Sequence, residues 1–174
     1  MKVKLVIGVA GSGKTTYCKK QSQFLIHDDW VNDQYIKNHD LNRIVVDMFH
    51  PHIQPEFSKS DLVAALKKDN TYNVFLKNYF QVLYAVVIKT YLDRTDSTVP
   101  MYIECPYLDE NIEALKKLYP KDLEIVWVDT TKEIIFQRLK ERGWNQARIQ
   151  LSLFDQLQDL EDFQELIDTT INGY

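Results

Sequence analysis

Short apolar runs, each closed by glycine, proline or aspartate, alternate along the chain with stretches whose apolar residues recur every three or four positions. Val3-Lys4-Leu5-Val6-Ile7 stops at Gly8 and predicts a buried strand. A helix is expected over 15–23, followed by a second short strand, Phe24-Leu25-Ile26, ended by His27-Asp28-Asp29. Met101-Tyr102-Ile103-Glu104-Cys105, closed by Pro106, and Glu124-Ile125-Val126-Trp127-Val128, running into Asp129, predict the third and fourth strands. Helices are expected over 109–118, from a Thr130 or Thr131 cap to Arg142 with Gly143 ending it, and over roughly 146–157. Glu165-Leu166-Ile167-Asp168 predicts a last strand. Strands alternating with helices imply an α/β fold built on a parallel sheet with right-handed crossovers.

The region between strands two and three is different. From Trp30 to Arg94 the pattern is helical, with Leu62, Leu66, Phe75, Tyr79, Val82, Leu83 and Val86 at three-to-four spacing. Pro51 and Pro55 interrupt it, Ser58 or Ser60 is placed to cap the next helix, and a polar loop covers 93–100. We therefore expect one domain over 1–174 with a helical insertion at about 30–95. Tyr72, Phe75, Tyr79, Phe80 and Tyr84 are expected to form the insertion's core, or else an apolar wall for a substrate tail.

Composition sharpens one point. Only five of 174 residues are glycine, about 3% against a usual level of roughly 7%, and Gly8, Gly11 and Gly13 fall within six positions. Gly8-Val9-Ala10-Gly11-Ser12-Gly13-Lys14-Thr15 fits G-x-x-x-x-G-K-[ST] in full, after an apolar strand and before a helix. Such a loop turns successive N–H groups toward phosphate oxygens, using backbone angles that glycine reaches cheaply. The pattern makes Gly8, Ala10, Gly11, Ser12, Gly13, Lys14, Thr15 and Thr16 the expected ATP contacts. Lys14 would neutralise the β- and γ-phosphates, and the Thr15 hydroxyl would bind Mg²⁺. Thr16 either helps at the metal or is a plain helix residue.

Charge separates the chain into two parts. Net charge is −4, which argues against a general nucleic-acid binder. All 21 Lys and Arg precede Ile149, so residues 1–148 carry 21 bases against 19 acids. Residues 149–174 hold six acids and no Lys or Arg. The body is thus compatible with an anionic substrate. Cys18 and Cys105 are too few for a disulfide framework or a thiolate zinc site and read as reduced thiols. The longest aliphatic stretch, Val82 to Ile88, is far short of the ~20 residues that span a membrane, and the N-terminal apolar run is too short for a signal peptide. A cytoplasmic location without membrane contact is expected.

Further candidates lie at strand ends, where open α/β sheets bind ligands. Asp28 and Asp29 follow strand two, and either can take a hydroxyl proton or hold Mg²⁺ through water, or else cap a helix at Trp30. Glu104 ends strand three and can orient metal-bound water. Asp129 ends strand four and can contact substrate or cap a helix. Arg138 and Arg142, four apart on one helix, share a face and can close over a transferring phosphoryl group, with Arg148 as a further ATP contact in a lid at about 138–148. The bland alternative is that they stabilise a helix C-terminus. Trp144 is either a base-stacking platform or a packed surface residue. His50 and His52 flank Pro51 without a third ligand nearby in sequence, so a metal site there is not expected.

No glycine has Asp three residues before it, and N-K-x-D and L-S-G-G-Q are absent, which sets aside GTPases and transporter ATPases. In these residues the chain resembles the dephospho-coenzyme A kinases. The likeness runs from the phosphate loop through Phe24 to Asp29, the insertion around Phe57–Phe80, Ile103 to Leu108, Val126 to Asp129 and Gln137-Arg138-Leu139-Lys140-Glu141-Arg142 to Glu165-Leu166-Ile167-Asp168. It departs where His27 replaces the first acid of Asp-x-Asp, where Lys59 is the nearest match to a basic residue, where a His-Pro pair is missing near Tyr79-Phe80, and in a short lid. The resemblance implies a P-loop kinase-type parallel sheet flanked by helices, with a substrate-binding insertion. It also implies ATP and Mg²⁺ as cofactors and transfer to the ribose 3′-hydroxyl of dephospho-coenzyme A, with Asp28 or Asp29 as base. Another acceptor, a nucleotide or a polynucleotide 5′-hydroxyl, is the alternative, and a non-catalytic nucleotide-binding adaptor the third reading. Nucleic acid enters as a partner only under the alternative. Oligomeric state stays open.

Overall fold

The computed structural model describes residues 2–29, 72–93 and 98–173, with the backbone alone over 72–81. In chain order the elements are β1 (Val3–Ile7), α1 (Lys14–Lys19), β2 (Phe24–Leu25), α2 (Tyr72–Asp93), β3 (Met101–Glu104), α3 (Glu110–Leu118), β4 (Leu123–Asp129), α4 (Lys132–Glu141), α5 (Gln146–Phe163) and β5 (Thr169–Asn172). A 3-10 turn, Gln164–Leu166, precedes β5. The chain divides into two compact units, residues 1–27 with 88–174 and residues 28–87.

In the first unit the five strands form one sheet in the order β2-β3-β1-β4-β5, and every pairing is parallel. This is an α/β fold with a parallel sheet flanked by helices. Parallel strands are covered on both faces, which explains why β1 and β4 are apolar almost throughout. Val3, Leu5, Val6 and Ile7 of β1 and Ile125, Val126 and Val128 of β4 are 0–1% exposed. Each such side chain gains about 1.5–3 kcal/mol from burial. One cluster of this core, Val6, Cys18, Val126 and Val128 with Tyr17, Ile26, Tyr102 and Ile171 against it, fixes α1 on the sheet.

The expected strands and helices of this unit are present, with three differences. Helix α1 stops at Lys19, because Lys20 N and Gln21 N turn back to the carbonyls of Tyr17 and Cys18 and the chain enters β2 at Phe24. Helix α5 continues to Phe163, beyond the expected end. The last strand is Thr169–Asn172 rather than 165–168. Its single partner is β4, and three of its four residues are exposed, so it lacks the apolar run that marks a central strand. Asp168 ends the connection: its carboxylate accepts from Ile125 N at 2.8 Å and pairs with Lys116.

In the second unit, residues 72–87 of α2 are helical, as expected, and Leu83 and Tyr84 are each 1% exposed. The expectations for Pro51, Pro55, Ser58, Ser60, His50, His52, Lys59, Leu62 and Leu66, and for the side chains of Tyr72, Phe75, Tyr79 and Phe80, lie outside the described residues. No helix among the described residues is long and apolar enough to cross a membrane.

Side-chain caps set two helix starts. Asp109, 6% exposed, accepts from Asn111 N at 3.0 Å and Ile112 N at 3.3 Å to begin α3, and Asn145 accepts from Arg148 N at 2.9 Å to begin α5. Asp109→Ala is expected to lower the unfolding free energy by about 0.5–2 kcal/mol. A lower urea midpoint at unchanged slope checks this; an unchanged midpoint would show the cap to be dispensable.

Candidate active site

Strand β1 lies between β3 and β4, both of which follow it in sequence, so the strand order reverses at β1 and opens a crevice at its carboxyl end. Register then decides what faces the crevice. Val6 pairs with Glu104 and with Val126, which brings the last residue of β3 beside the start of the 8–15 loop.

Within the loop, Gly11 (φ 84°) and Gly13 (φ 100°) are left-handed, and Ser12 N donates to Val9 O at 3.0 Å. Two left-handed residues flanking Ser12 curl the backbone into a concavity of the kind that holds anions. Gly8 answers a different demand. A Cβ there would lie 2.6 Å from Ser12 Oγ and 2.8 Å from Val128 O, so the strand-to-loop corner has no room for a side chain. Ser12 Oγ is buried beneath this corner with no hydrogen-bond partner. Lys14 Nζ folds back to Val9 O at 3.4 Å, which keeps the ammonium over the loop. The positive backbone angles and the lysine above them fit a polyphosphate.

Thr15 Oγ1 donates to Glu104 Oε1 at 2.7 Å. The hydroxyl and the carboxylate, the latter on a residue only 8% exposed, are hard oxygen donors of the type that fits Mg²⁺. One turn further along α1, Cys18 is fully buried. Burial, and then the Glu104 charge, push its thiol up to about 12 against an opposing pull from Lys14. Thr16 is exposed on α1.

Helix α4 packs on the outer side of the loop. A Cβ on Gly11 would lie 3.3 Å from Leu139 Cγ and 3.5 Å from Ile135 Cγ2, two residues that α4 buries. From the same face Arg138 Nη1 donates to Gly11 O at 2.9 Å. The predicted helix end at Gly143 is present: Trp144 N donates to Leu139 O at 3.1 Å and Gly143 N to Lys140 O at 2.9 Å, with Gly143 at φ 82°. Arg142 is the exposed C-cap of α4, and Arg148 lies exposed with its guanidinium 3.8 Å from the Trp144 ring. Of the three arginines, the structure brings Arg138 onto the loop. Asp28 and Asp29 are exposed in a helical turn of the second unit. Thr131 occupies the N-cap of α4 without a side-chain bond, while Thr130 Oγ1 donates to Ser12 O at 2.8 Å. The exposed Asp129 accepts through its backbone carbonyl from Thr130 and from Gly173 N.

With this geometry in place, comparison with solved structures gives the same architecture. The chain superposes on the crystal structure of TT1252 from Thermus thermophilus with a TM-score of 0.64 at 13% identity, covering 99% of this chain and 88% of that one. The shikimate kinase of Acinetobacter baumannii, solved in complex with shikimate, gives 0.55 at 16% identity over 100% and 84% of the two chains. A gluconokinase from Sinorhizobium meliloti 1021 gives 0.50 at 18% identity over 99% and 82%. The chain shares the fold of these structures, a parallel sheet flanked by helices. No protein-family model matches it, and no curated protein is significantly similar to it in sequence.

Three participants escaped the sequence. Gln156 accepts from Ala10 N at 2.6 Å across 146 positions, Thr130 holds Ser12 O, and Gly173, placed by sequence in a plain tail, lies against the loop. A Cβ on Gly173 would overlap Thr130 Oγ1 and lie 2.6 Å from Ser12 O. Only the polar composition after residue 149 hinted that the last helix carries anything but core.

Native Cys18 is expected to resist iodoacetamide at mildly alkaline pH and to react once urea unfolds the chain; equal rates would contradict its burial. Because the folded thiol is raised from 9.0 to about 12, its contribution to stability is full below pH 9.0 and is lost as pH rises toward 12, which alkaline melts can follow.

Proposed function

We propose that the chain is an ATP-dependent phosphotransferase for a hydroxyl on a small molecule. The observation that carries this reading is the Thr15–Glu104 pair, 2.7 Å apart, in the loop that holds the left-handed Gly11 and Gly13 and the Lys14 ammonium. A glycine-rich turn that merely joined a strand to a helix would need none of these polar groups. The fold shared with kinases supports the same class.

Magnesium-bound ATP, held at the loop, supplies the γ-phosphoryl group. Backbone amides of 13–15 and Lys14 would hold the phosphate oxygens, and Thr15 with Glu104 would hold the metal. Arg138 offers its remaining guanidinium donors to the same anion, with Arg142 and Arg148 as further cations from the short lid at 138–148. Asp28 or Asp29 takes the hydroxyl proton as the new O–P bond forms and the bond to the β-phosphate oxygen breaks. Support for these two acids is their place three and four residues after the end of β2. The insertion at about 30–95 holds the acceptor.

For the acceptor we propose dephospho-coenzyme A, phosphorylated at its ribose 3′-hydroxyl, on the strength of the sequence resemblance. Another hydroxyl acceptor is the second reading. It is favoured by solved neighbours named for shikimate and gluconate, and it also covers nucleotides and polynucleotide 5′ ends.

Incubation with Mg-ATP and a panel of acceptors, followed by ADP release and product mass, tests both readings. Phosphate gained by dephospho-coenzyme A alone supports the first, and gain by another acceptor alone selects the second. Nucleotide binding without turnover on any acceptor overturns the kinase reading in favour of an adaptor. Lys14→Ala is expected to lower kcat/KM by about a hundredfold or more while the fold survives, and near-normal rates would remove the loop from the mechanism. Of Asp28→Asn and Asp29→Asn, one is expected to lose the chemical step and keep ATP binding; if neither does, the base lies elsewhere.

A further inference from the structure

Helix α5 carries Asp155, Asp159, Glu161 and Asp162, an unfavourable neighbour for a loop that binds polyanions. These four acids are exposed, whereas Ile149 is buried and Ser152 and Gln156 are half-buried. What α5 presents to the loop is a neutral carboxamide. Gln156 Oε1 accepts from Ala10 N at 2.6 Å, while its Nε2 donates to Ser152 Oγ at 3.0 Å, so the second bond fixes which end of the amide faces the loop. The adjoining residue is held from α4, where Arg138 Nη1 donates to Gly11 O at 2.9 Å. Ala10 and Gly11 are therefore gripped by the last two helices, immediately before the concavity between the left-handed Gly11 and Gly13.

We infer that Gln156 is a positioning residue for nucleotide binding: it holds the Ala10 peptide so that the amides after it converge on the phosphates, and it stays in place when they are bound. The inference rests on the reading of the loop as a triphosphate site. The chemistry selects the side chain. The Ala10 N–H needs an acceptor, which lysine and arginine lack. A carboxylate would accept the same bond but set a negative charge against the incoming anion. The carboxamide satisfies the amide without that repulsion.

The test uses the full chain, with Mg-ADP as the probe in calorimetry and exchange of the Ala10 amide read by NMR without nucleotide. In Gln156→Ala the Ala10 amide is expected to exchange faster and Mg-ADP to bind about three- to tenfold more weakly, the range for losing one neutral hydrogen bond. Ser152→Ala, which frees the carboxamide without removing it, should move both readouts the same way by less. In Gln156→Glu the amide is expected to stay protected, yet Mg-ADP should bind more weakly than to Gln156→Ala. That loss should recover, relative to wild type, as pH falls through the glutamate range and the carboxyl becomes neutral. A purely structural role would not give this pH dependence. Unchanged or tighter Mg-ADP binding by Gln156→Ala, or unchanged Ala10 exchange, overturns the inference while the nucleotide site stands. Failure of the wild-type chain to bind Mg-ADP overturns the reading of the loop and this inference with it.

Discussion

The left-handed turns at Gly11 and Gly13 are the constraint on which the rest of the first unit depends. A backbone curled this way leaves its amides pointing at one place and its carbonyls pointing outward, and the outward groups must be satisfied by something. Thr130 takes up Ser12 O and Arg138 takes up Gly11 O. The absent side chain of Gly11 leaves room for Leu139 and Ile135 of α4 to press against the loop. Elements that look like scaffolding, the end of β4, α4 and the turn after β5, are thus the outer wall of one concave peptide.

The same geometry explains how an acidic chain can keep positive charge at this loop. Charges of opposite sign are sorted by face as well as by sequence. Lys14 and Arg138 sit at the loop, while the acids of α5 are exposed and the helix meets the loop through the carboxamide of Gln156. Asp168 is drawn to Lys116 and the backbone of Ile125. Glu104 is kept inside, held by the Thr15 hydroxyl, where a hard cation would use it. A carboxylate at that position costs desolvation, and its charge is felt by the buried Cys18 thiol beside it.

Much of this was written plainly in the sequence. β1, β3 and β4 were legible because central parallel strands are apolar on both faces, and the loop was legible because only glycine at fixed spacing makes that turn. Gly143 was legible as a helix end for the same conformational reason. Strand β5 was misplaced because an edge strand with a single partner needs no apolar run, and the Leu166-Ile167 pair nearby offered a better imitation. Gly173 looked like tail because nothing local shows that Thr130 and Ser12 will crowd it.

By itself the sequence determined the α/β class, the glycine-rich loop between β1 and α1, and Glu104 as a candidate at a strand end, because these rest on local conformation, apolar runs and helical periodicity. The tertiary structure alone decided which polar groups meet. Parallel register put Glu104 beside Thr15, packing of α4 turned Arg138 and not Arg142 onto the loop, and the rotation of α5 chose Gln156 over its acidic neighbours. These contacts join residues 89 to 146 positions apart, where no local pattern reaches, and they are settled only when the helices bury their apolar faces on the sheet.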